Sequence, residues 1–240
     1  MSTRQRESFL FTRLLVALIA LLLIGALLYQ EVSKSVIYAV MGVIMVLAIW
    51  NNSRSFWLTG FMAAVGLANV AASLAVGLQD EPSVLAIGFA RSLGVVFVGA
   101  VGTFLLRGIW QEKHVTLDTI FGAVAVYLLI GIGWTHIYSL IETLEPGSFA
   151  TRVGSSEQWH DWQSGTDGVY PRLLFFSFVT LTTLGYGDIL PITAASKGFS
   201  IAEAVAGPVF LAILMARLVG LYVAQETRQE PATKRGHKRD

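Results

Sequence analysis

A short polar stretch late in the chain carries the residue types best suited to chemistry. It reads TTLGYGDILP, residues 182–191, and it interrupts otherwise apolar sequence. Gly185 and Gly187 adopt positive φ at little cost, so the backbone of residues 183–187 can turn successive carbonyls to one side. Carbonyl oxygens and a threonine hydroxyl can replace the water shell of a monovalent cation, whereas carboxylates would bind it too strongly for fast release. The stretch therefore predicts a path for a desolvated cation.

The composition places this stretch in a membrane protein. The chain has 240 residues, of which 54% are hydrophobic and 14% charged, and its mean hydropathy is +0.63. Soluble globular domains carry roughly 25% charged residues, so this chain lacks the polar surface to face water on all sides. The net charge of +1 argues neither for nor against nucleic acid, but no basic stripe occurs outside the termini, and we expect no nucleic-acid partner. The absence of cysteine excludes disulfides and cysteine-based metal sites.

Apolar segments close to the roughly 20 residues that cross a bilayer recur along the chain. We interpret the first as a retained transmembrane helix rather than a cleaved signal peptide. Basic residues predominate at the termini and in the second and fourth loops between spans, which contain Arg54 and Lys113. Acids such as Glu142 and Asp161 predominate in the loops on the other side. Since basic loops stay cytoplasmic, both termini are predicted inside a cell (plasma or inner) membrane, with lipid around the helices. The predicted spans are residues 9–29, 36–50, 57–78, 84–106, 117–141 and 194–224.

Residues 171–182 predict a helix that does not span the membrane. Pro171 suits the first turn of a helix, and about three turns, roughly 18 Å at 1.5 Å per residue, reach half a bilayer. The chain must then turn back, and irregular backbone at membrane depth is tolerated only where protein buries it or it lines a watery cavity. The helix would also aim its partially negative C-terminal end at a cation in that cavity. We therefore predict an all-α polytopic membrane protein with six transmembrane helices, and a re-entrant pore helix and selectivity filter between helices five and six.

The half-length helix, the TTLGYGD motif and the long apolar segment that follows resemble the pore domain of prokaryotic-type potassium channels, whose filter reads Thr-Val-Gly-Tyr-Gly. The likeness covers about residues 117–224. It implies a channel for passive K⁺ conduction, which is not an enzyme and needs no cofactor, K⁺ being the permeant ion. Leu184 replaces the commoner valine of the filter, but its carbonyl is unchanged. The resemblance implies that K⁺ contacts the carbonyls of Thr183, Leu184, Gly185 and Tyr186, with Gly187 completing the filter.

The number of filters per chain predicts the assembly. The chain contains one such filter. Because four carbonyls ring each layer of such a pore, four chains are needed, and we predict a cyclic homotetramer. The predicted domains are residues 1–113, a four-helix N-terminal transmembrane domain, residues 114–226, the pore domain, and residues 227–240, a basic cytoplasmic tail. Within the pore domain we predict a turret over residues 142–168, the pore helix over 171–182, the filter over 183–188 and the inner helix over 194–224.

Residues around the filter are predicted to support it. By the resemblance, Thr182 and Asp188 flank the filter. Phe175 and Phe176 stand where the family often has tryptophan, so no indole N–H is present there to bond Asp188. Val179 stands where some members have an acid that pairs with the same aspartate. We therefore expect filter support that is weaker than the family pattern or built differently.

Glu203 is an acid inside the last predicted span. It falls about two turns into that span, near the depth of the filter. An ionisable group there is costly and faces protein or water. Two roles are therefore considered for Glu203. It forms a hydrogen bond behind the filter that tunes gating, or it is a structural polar anchor.

The middle of the last span contains Gly207 and Pro208. Proline kinks a helix and glycine adds freedom. By the resemblance Gly207 is a gating hinge, and a static kink that widens the cavity is the alternative. Helical spacing from Pro208 turns Ala212 and Met215 to the same face, which predicts that they line the cavity. Arg217, late in the span, is interpreted as snorkelling toward the interface.

The first four spans occupy the position of a voltage sensor. A sensor helix needs Arg or Lys at every third position, and the fourth span has only Arg91, with Arg107 at its end. Gating by such a sensor is therefore not expected. Backbone or Asn69 is the predicted partner of Arg91.

Other functions are weighed against the selective channel. A weakly selective monovalent cation channel would follow from looser filter support. A secondary ion transporter would be expected to show internal repeats and paired broken helices, and this chain has one re-entrant segment. A receptor or scaffold has no use for the filter residues, and an enzyme would need a catalytic constellation that the sequence does not contain.

Overall fold

The computed structural model describes residues 10–27, 56–79, 82–112, 115–152, 159–161 and 169–236. These residues form six helices and three short strands. The predicted second span, residues 36–50, lies outside the described residues. In chain order the elements are α1 (Leu10–Leu27), α2 (Phe56–Gly77), α3 (Val84–Gln111), α4 (Leu117–Leu144), β1 (Phe149–Arg152), β2 (Trp159–Asp161), α5 (Val169–Leu181), β3 (Ile189–Pro191) and α6 (Ala194–Gly236).

Four of the described helices, α2, α3, α4 and α6, are long and apolar enough to cross a membrane. Helix α1 carries a shorter apolar run, Phe11–Ala20. The prediction of an all-α polytopic membrane protein is confirmed. Helices α3, α4 and α6 continue beyond the predicted spans to Gln111, Leu144 and Gly236, because helical hydrogen bonding does not stop where the apolar residues stop.

Helices α3 and α4 pack along their length and form the core of the described residues. Each begins at an N-cap: Ser83 Oγ accepts from Ala86 N at 3.2 Å, and Thr116 Oγ1 accepts from Thr119 N at 3.2 Å. Since lipid is as apolar as the side chains between the helices, close van der Waals packing rather than exclusion of water holds the pair together. The buried side chains of this core include Val101, Leu105, Ile109, Leu129 and Ile132.

Helix α1 lies against α4, with the first turns of the two helices side by side. Asp118, in the first turn of α4, accepts from Thr12 N and from Thr12 Oγ1 at 2.9 Å each. The first four N–H groups of a helix have no partner within it, so the carboxylate satisfies this end of α1. Phe11 packs on Gly122, where a Cβ would lie 2.9 Å from the phenyl ring. The two helices therefore begin at the same end of the bundle.

The region predicted as a turret contains part of a sheet. Strand β1 pairs antiparallel with β2, Ala150 opposite Asp161, and with β3, Ala150 opposite Leu190, so the strand order is β2-β1-β3. The sequence does not predict this sheet, because strands of three or four residues are too short to show the alternation typical of strands. The sheet joins the turret to the residues that directly follow the TTLGYGD motif.

Helix α3 also contacts α5. The guanidinium carbon of Arg91 lies 5.1 Å from the centre of the Tyr170 ring, a cation–π geometry. Tyr170 OH lies 3.4 Å from His136 Nε2 on α4. Asn69 donates to Ala90 O at 3.1 Å. The Tyr170 contact is not among the predicted ones, because the predicted half-length helix begins after this residue.

Candidate functional site

Helix α5 is the predicted half-length helix. It runs Val169–Leu181 rather than residues 171–182, so Pro171 lies within its first turn. The first N–H groups of a helix have no intrahelical acceptor, and proline is therefore tolerated there. Its 13 residues span about 20 Å at 1.5 Å per residue, which is too short to cross a bilayer.

The polar motif forms the loop after α5, residues 182–188, which we call the central loop. Leu184 N donates to Val179 O at 2.9 Å, and Thr183 N donates to Thr180 O at 3.0 Å. These two bonds make a Schellman motif, which places a left-handed residue directly after the helix cap. Thr183 occupies that place with φ 59°. A β-branched residue rarely adopts this conformation, so the surrounding contacts must hold it.

Every second residue of the central loop from Thr183 onward has positive φ. The values are 59° at Thr183, 61° at Gly185 and 74° at Gly187. In a backbone that alternates between left- and right-handed residues, successive N–H groups align on one side, which leaves the carbonyls on the other. Glycine adopts the left-handed region freely, which explains two of the three positions. The central loop thus has the backbone alternation that carbonyl alignment requires.

Every residue of the central loop is exposed in the single chain, between buried Leu181 and buried Ile189. Leu184 and Tyr186 expose 55% and 65% of their surface. Irregular backbone at membrane depth needs protein or water around it. The loop therefore requires a surface beyond this single chain or a water-filled space.

A buried carboxylate joins three helices behind the central loop. Glu203 of α6 has no exposed surface. Its Oε2 accepts from Tyr138 OH of α4 at 2.5 Å, and its Oε1 lies 2.6 Å from Ser177 Oγ of α5. Ser177 Oγ also lies 2.8 Å from Gly131 O, so one hydroxyl bridges two oxygens. We call Glu203, Tyr138 and Ser177 the carboxylate network.

Glu203 can be identified from the sequence, but its two partners cannot. Both carboxylate oxygens have a hydrogen bond, as a buried acid requires. An acid inside a span needs hydrogen-bond donors from neighbouring helices. Hydroxyl side chains such as those of Ser177 and Tyr138 can supply them, and this requirement is the signal available in the sequence. Which hydroxyls meet the acid depends on how the helices rotate against each other, and hydropathy does not contain that information.

Three aromatic rings connect the carboxylate network to β1. Tyr138, Phe149 and Phe176 are buried. Their ring centres lie 5.3 to 5.4 Å apart with interplanar angles of 65 to 70°. This edge-to-face geometry is the one that aromatic quadrupoles favour. Phe176 therefore faces α4 and the turret strand.

Phe175 and Val179 contact the central loop directly. The rings of Phe175 and Tyr186 stack with centres 6.0 Å apart and 6° between their planes. Val179 O accepts from Leu184 N at 2.9 Å and from Gly185 N at 3.3 Å. These contacts use ring stacking and backbone bonds in place of the indole and acid side chains of the family pattern.

The flanks of the central loop differ from each other. At the start, Thr182 Oγ1 donates to Phe178 O at 2.6 Å and so bonds back onto α5. At the end, Asp188 is exposed, and β3 begins at the next residue. The first flank is therefore fixed by the half-length helix and the second by the sheet.

Glu142 anchors the sheet to α4. Its Oε1 accepts from Gly147 N at 2.9 Å and its Oε2 from Phe149 N at 3.1 Å. Beyond β3, Ile192 N donates to Ser148 O at 2.8 Å. The chain that leaves the central loop is therefore tied, through β1, to the end of α4. From the sequence, Glu142 is predicted only as an acid of the turret, because nothing in the sequence shows which N–H groups donate to it.

Helix α6 packs closely against the end of α5 at Gly207. A Cβ at Gly207 would overlap the carbonyl oxygen of Leu181, the last residue of α5. Tyr127 OH donates to the same carbonyl at 3.0 Å. Helix α6 is continuous through Gly207 and Pro208. The missing side chain therefore serves close packing here, and the hinge role of Gly207 stays a prediction.

One face of the remaining part of α6 is exposed in the single chain. Pro208, Ala212 and Met215 are exposed and recur at helical spacing. In the most apolar part of α6, 11% of the residues are buried, against 50% in the most apolar part of α4. The face predicted to line a cavity is thus uncovered in the single chain.

Apart from the Asp188 carboxylate at its end, the central loop offers neutral oxygen atoms to a ligand. Among the described residues, no group of three His, Asp or Glu side chains could hold a metal ion. The central loop offers backbone carbonyls and threonine hydroxyls, which suit a weakly held monovalent cation.

Comparison with known proteins finds similarity in the region that contains the central loop and the helices around it. A family model described as "Ion channel" matches residues 115–224, which contain α4, α5, the central loop and most of α6. Protein LctB of Bacillus caldotenax is 30% identical over 131 residues, which are 55% of this chain and 92% of that protein.

Two longer relatives match in a smaller part. Two pore potassium channel c of Oryza sativa subsp. japonica is 38% identical over 74 residues, 31% of this chain and 14% of that protein. The voltage-gated delayed rectifier potassium channel KCNH5 of Homo sapiens is 28% identical over 122 residues, 45% of this chain and 12% of that protein. The chain spans less than a quarter of the length of either. This protein is therefore a channel and not an enzyme, and it belongs to the potassium channel pore-domain family, as the sequence predicts.

Proposed function

We propose that this protein conducts K⁺ passively and selectively across a membrane, through a pore that four copies of the chain surround. The observation that carries the proposal is the alternation of positive φ at Thr183, Gly185 and Gly187. It supports K⁺ coordination by the carbonyls of Thr183, Leu184, Gly185 and Tyr186, with Gly187 completing the filter. The two relatives that are named potassium channels support the choice of ion.

The exposure of the central loop supports a tetramer. One chain supplies one carbonyl to each layer of such a filter, and closed rotational symmetry repeats it around an axis. Lipid cannot satisfy the polar backbone of the loop, but neighbouring copies and a water-filled axis can. Neighbouring copies would also cover part of the exposed apolar face of α6, which includes Ile201, Val205, Val209 and Ile213.

The contacts behind the central loop support its selectivity. The carboxylate network fixes α5 against α4 and α6, and Phe175 stacks on Tyr186 from the side. A filter that cannot contract around a smaller ion favours K⁺ over Na⁺. In this account Glu203 acts through α5 and does not contact the ion.

We further propose the arrangement in the membrane. Both termini face the cytoplasm, lipid surrounds the helices, and K⁺ is the permeant ion without any cofactor. Residues 1–113 form the N-terminal transmembrane domain and residues 114–226 the pore domain. Helix α3 carries Arg91 and Arg107 but no row of basic residues, so opening does not depend steeply on voltage.

Recording from the purified protein in a planar bilayer tests the proposal. The bilayer separates a K⁺ solution from a Na⁺ solution of equal concentration. A K⁺-selective pore then gives a reversal potential far from zero, with the K⁺ compartment negative. A reversal potential near zero identifies the weakly selective cation channel instead. If the bilayer shows no channel current but vesicles that contain the protein take up K⁺, the protein is a secondary transporter instead.

A matched pair of variants links the current to the central loop. Gly185→Ala forces a Cβ into a left-handed position (φ 61°) and should reduce the K⁺/Na⁺ permeability ratio. Gly198→Ala, in α6 where no atom lies within 4 Å of the new Cβ, should leave the ratio unchanged. Equal ratios in the two variants would contradict the assignment of the filter.

A further inference from the structure

A contact between α3 and α6, far along α6 from the central loop, has no role in the function proposed above. Arg217 Nη2 donates to Trp110 O at 2.6 Å, to Ile109 O at 3.2 Å and to Glu112 O at 3.4 Å. The guanidinium carbon lies 5.3 Å from the centre of the Trp110 ring. These contacts add to the snorkelling interpretation of Arg217, because protein atoms at the end of α3 bind its head group.

The end of α3 explains why an arginine binds there. Helix α3 ends at Gln111, and the last carbonyls of a helix have no following N–H groups and carry partial negative charge. Glu112 N donates to Ile109 O at 3.3 Å and satisfies only part of that end. A guanidinium offers planar donors and stacks on aromatic faces, so it fits carbonyls that lie beside a tryptophan. Arg217 is thus a C-terminal cap for α3 that another helix supplies.

Helix α6 is held at two levels, and Arg217 is the second. The first is Gly207, which lies against Leu181 O, about 15 Å away along the helix at 1.5 Å per residue. At 100° per residue, Arg217 lies on the face of α6 opposite Pro208 and so away from the predicted cavity. Between the two levels, Leu214 packs into the core that α3 and α4 form. A rotation or bend of α6 beyond Gly207 would separate Arg217 from all three carbonyls at once.

We infer that Arg217 is a positioning residue that couples the end of α3 to the part of α6 beyond Gly207 and Pro208, and that this contact sets the balance between closed and open positions of α6. The inference rests on the proposed function, which makes α6 the wall of a pore. Loss of the contact removes a stabilisation from the α6 position seen here. The open probability should therefore change, whereas ion selectivity, which the central loop determines, should not.

The absence of cysteine from the chain permits a clean charge-replacement test. In Arg217→Cys, single-channel recording should show the open probability changed about tenfold, a usual size for coupling between distant sites. The K⁺/Na⁺ permeability ratio and the unitary conductance should equal those of the wild type. Aminoethyl methanethiosulfonate, which attaches an ammonium group, should move the open probability back toward the wild-type value. The sulfonatoethyl reagent, which attaches a negative charge, should not.

Gly220→Cys is the matched control. It lies about one turn further along α6, and no neighbouring element comes within 4 Å of a Cβ there. Both reagents should leave its open probability unchanged. An unaltered open probability in Arg217→Cys, or an equal response of that variant to both reagents, would overturn the inference.

A second pair of variants decides the question if Arg217→Cys does not assemble. Arg217→Lys keeps the charge and loses the planar fork, and Trp110→Leu removes the ring. Because both changes act on one contact, their effects on open probability should not add, and additive effects would overturn the inference. The wild type in the same bilayers separates the two failures. If it carries no K⁺-selective current, the proposed function fails, and if it conducts while the variants gate normally, only the coupling fails.

Discussion

The two ends of α6 are held in different ways. Near the central loop, Glu203 joins α6 to α4 and α5, and Gly207 packs against the last carbonyl of α5. Far from the loop, α6 is largely exposed, and Arg217 reaches across to α3. Buried hydrogen bonds with every partner satisfied are costly to break, whereas a long side chain on backbone carbonyls can exchange its partners for water. The part of α6 beside the proposed ion path is therefore held by buried contacts, and the far end of α6 by partly exposed ones.

Gly207→Ala should break the fixed end most strongly. The new Cβ overlaps Leu181 O, which cannot easily retreat because Tyr127 also bonds to it. We expect a loss of about 3 kcal/mol of stability, the upper part of the range for overpacking, and little assembled oligomer. Thermal unfolding and size-exclusion chromatography measure both. Gly220→Ala, in open space on the same helix, is the control, and equal unfolding temperatures would contradict the close contact.

Glu203→Ala should have the second largest effect. It leaves Tyr138 OH without its acceptor in a buried site, and an unsatisfied buried group costs about 1 to 3 kcal/mol. Glu203→Gln keeps an oxygen for Tyr138 and an amide for Ser177 Oγ, so it should retain most of the stability. We expect the K⁺/Na⁺ permeability ratio to fall in the alanine variant and to be largely kept in the glutamine variant. If both variants lose selectivity equally, charge rather than hydrogen bonding is what Glu203 supplies.

Glu142→Ala tests the support on the turret side. The change removes the acceptor of Gly147 N and Phe149 N and so loosens β1, at about 1 kcal/mol per hydrogen bond. Because β1 pairs with β3, hydrogen exchange should increase at the amides of β3 as well. Glu145→Ala, three residues on and exposed, should leave exchange in β3 at the wild-type rate. An unchanged β3 in Glu142→Ala would show that the sheet does not transmit this support.

Phe175→Leu should have the smallest effect. It removes the stack on Tyr186, which is worth about 1 kcal/mol beyond the area it buries. The permeability ratio should fall slightly in this variant. Phe175→Tyr keeps the ring and should preserve the ratio. A larger loss in the tyrosine variant would show that ring stacking is not the supporting contact.

The sequence predicts the elements around the central loop well, because these elements depend on residue types and segment lengths within the same stretch of sequence. A half-length helix after Pro171 and a Gly-containing segment at membrane depth leave few alternatives. The bounds of α5 differ by only a residue or two from the prediction, as is usual for helix ends.

The partners of the charged residues could not be predicted in the same way. The hydroxyls around Glu203 and the carbonyls around Arg217 come from other helices, so they depend on helix rotation that hydropathy does not encode. The snorkelling rule for arginine at a span end predicts the direction of the Arg217 side chain but does not predict which carbonyls of a neighbouring helix it meets. The turret sheet escapes prediction because its strands are too short to show a pattern.

The central claim is that carbonyls of the central loop form successive K⁺ sites on the axis of a tetramer. Anomalous diffraction from crystals of the wild type soaked in Tl⁺, which substitutes for K⁺, tests it most directly. We predict a row of anomalous peaks on a four-fold axis, between the carbonyl layers of Thr183, Leu184, Gly185 and Tyr186. A structure without a four-fold axis at the central loop, or with Tl⁺ peaks away from these carbonyls, would contradict the claim.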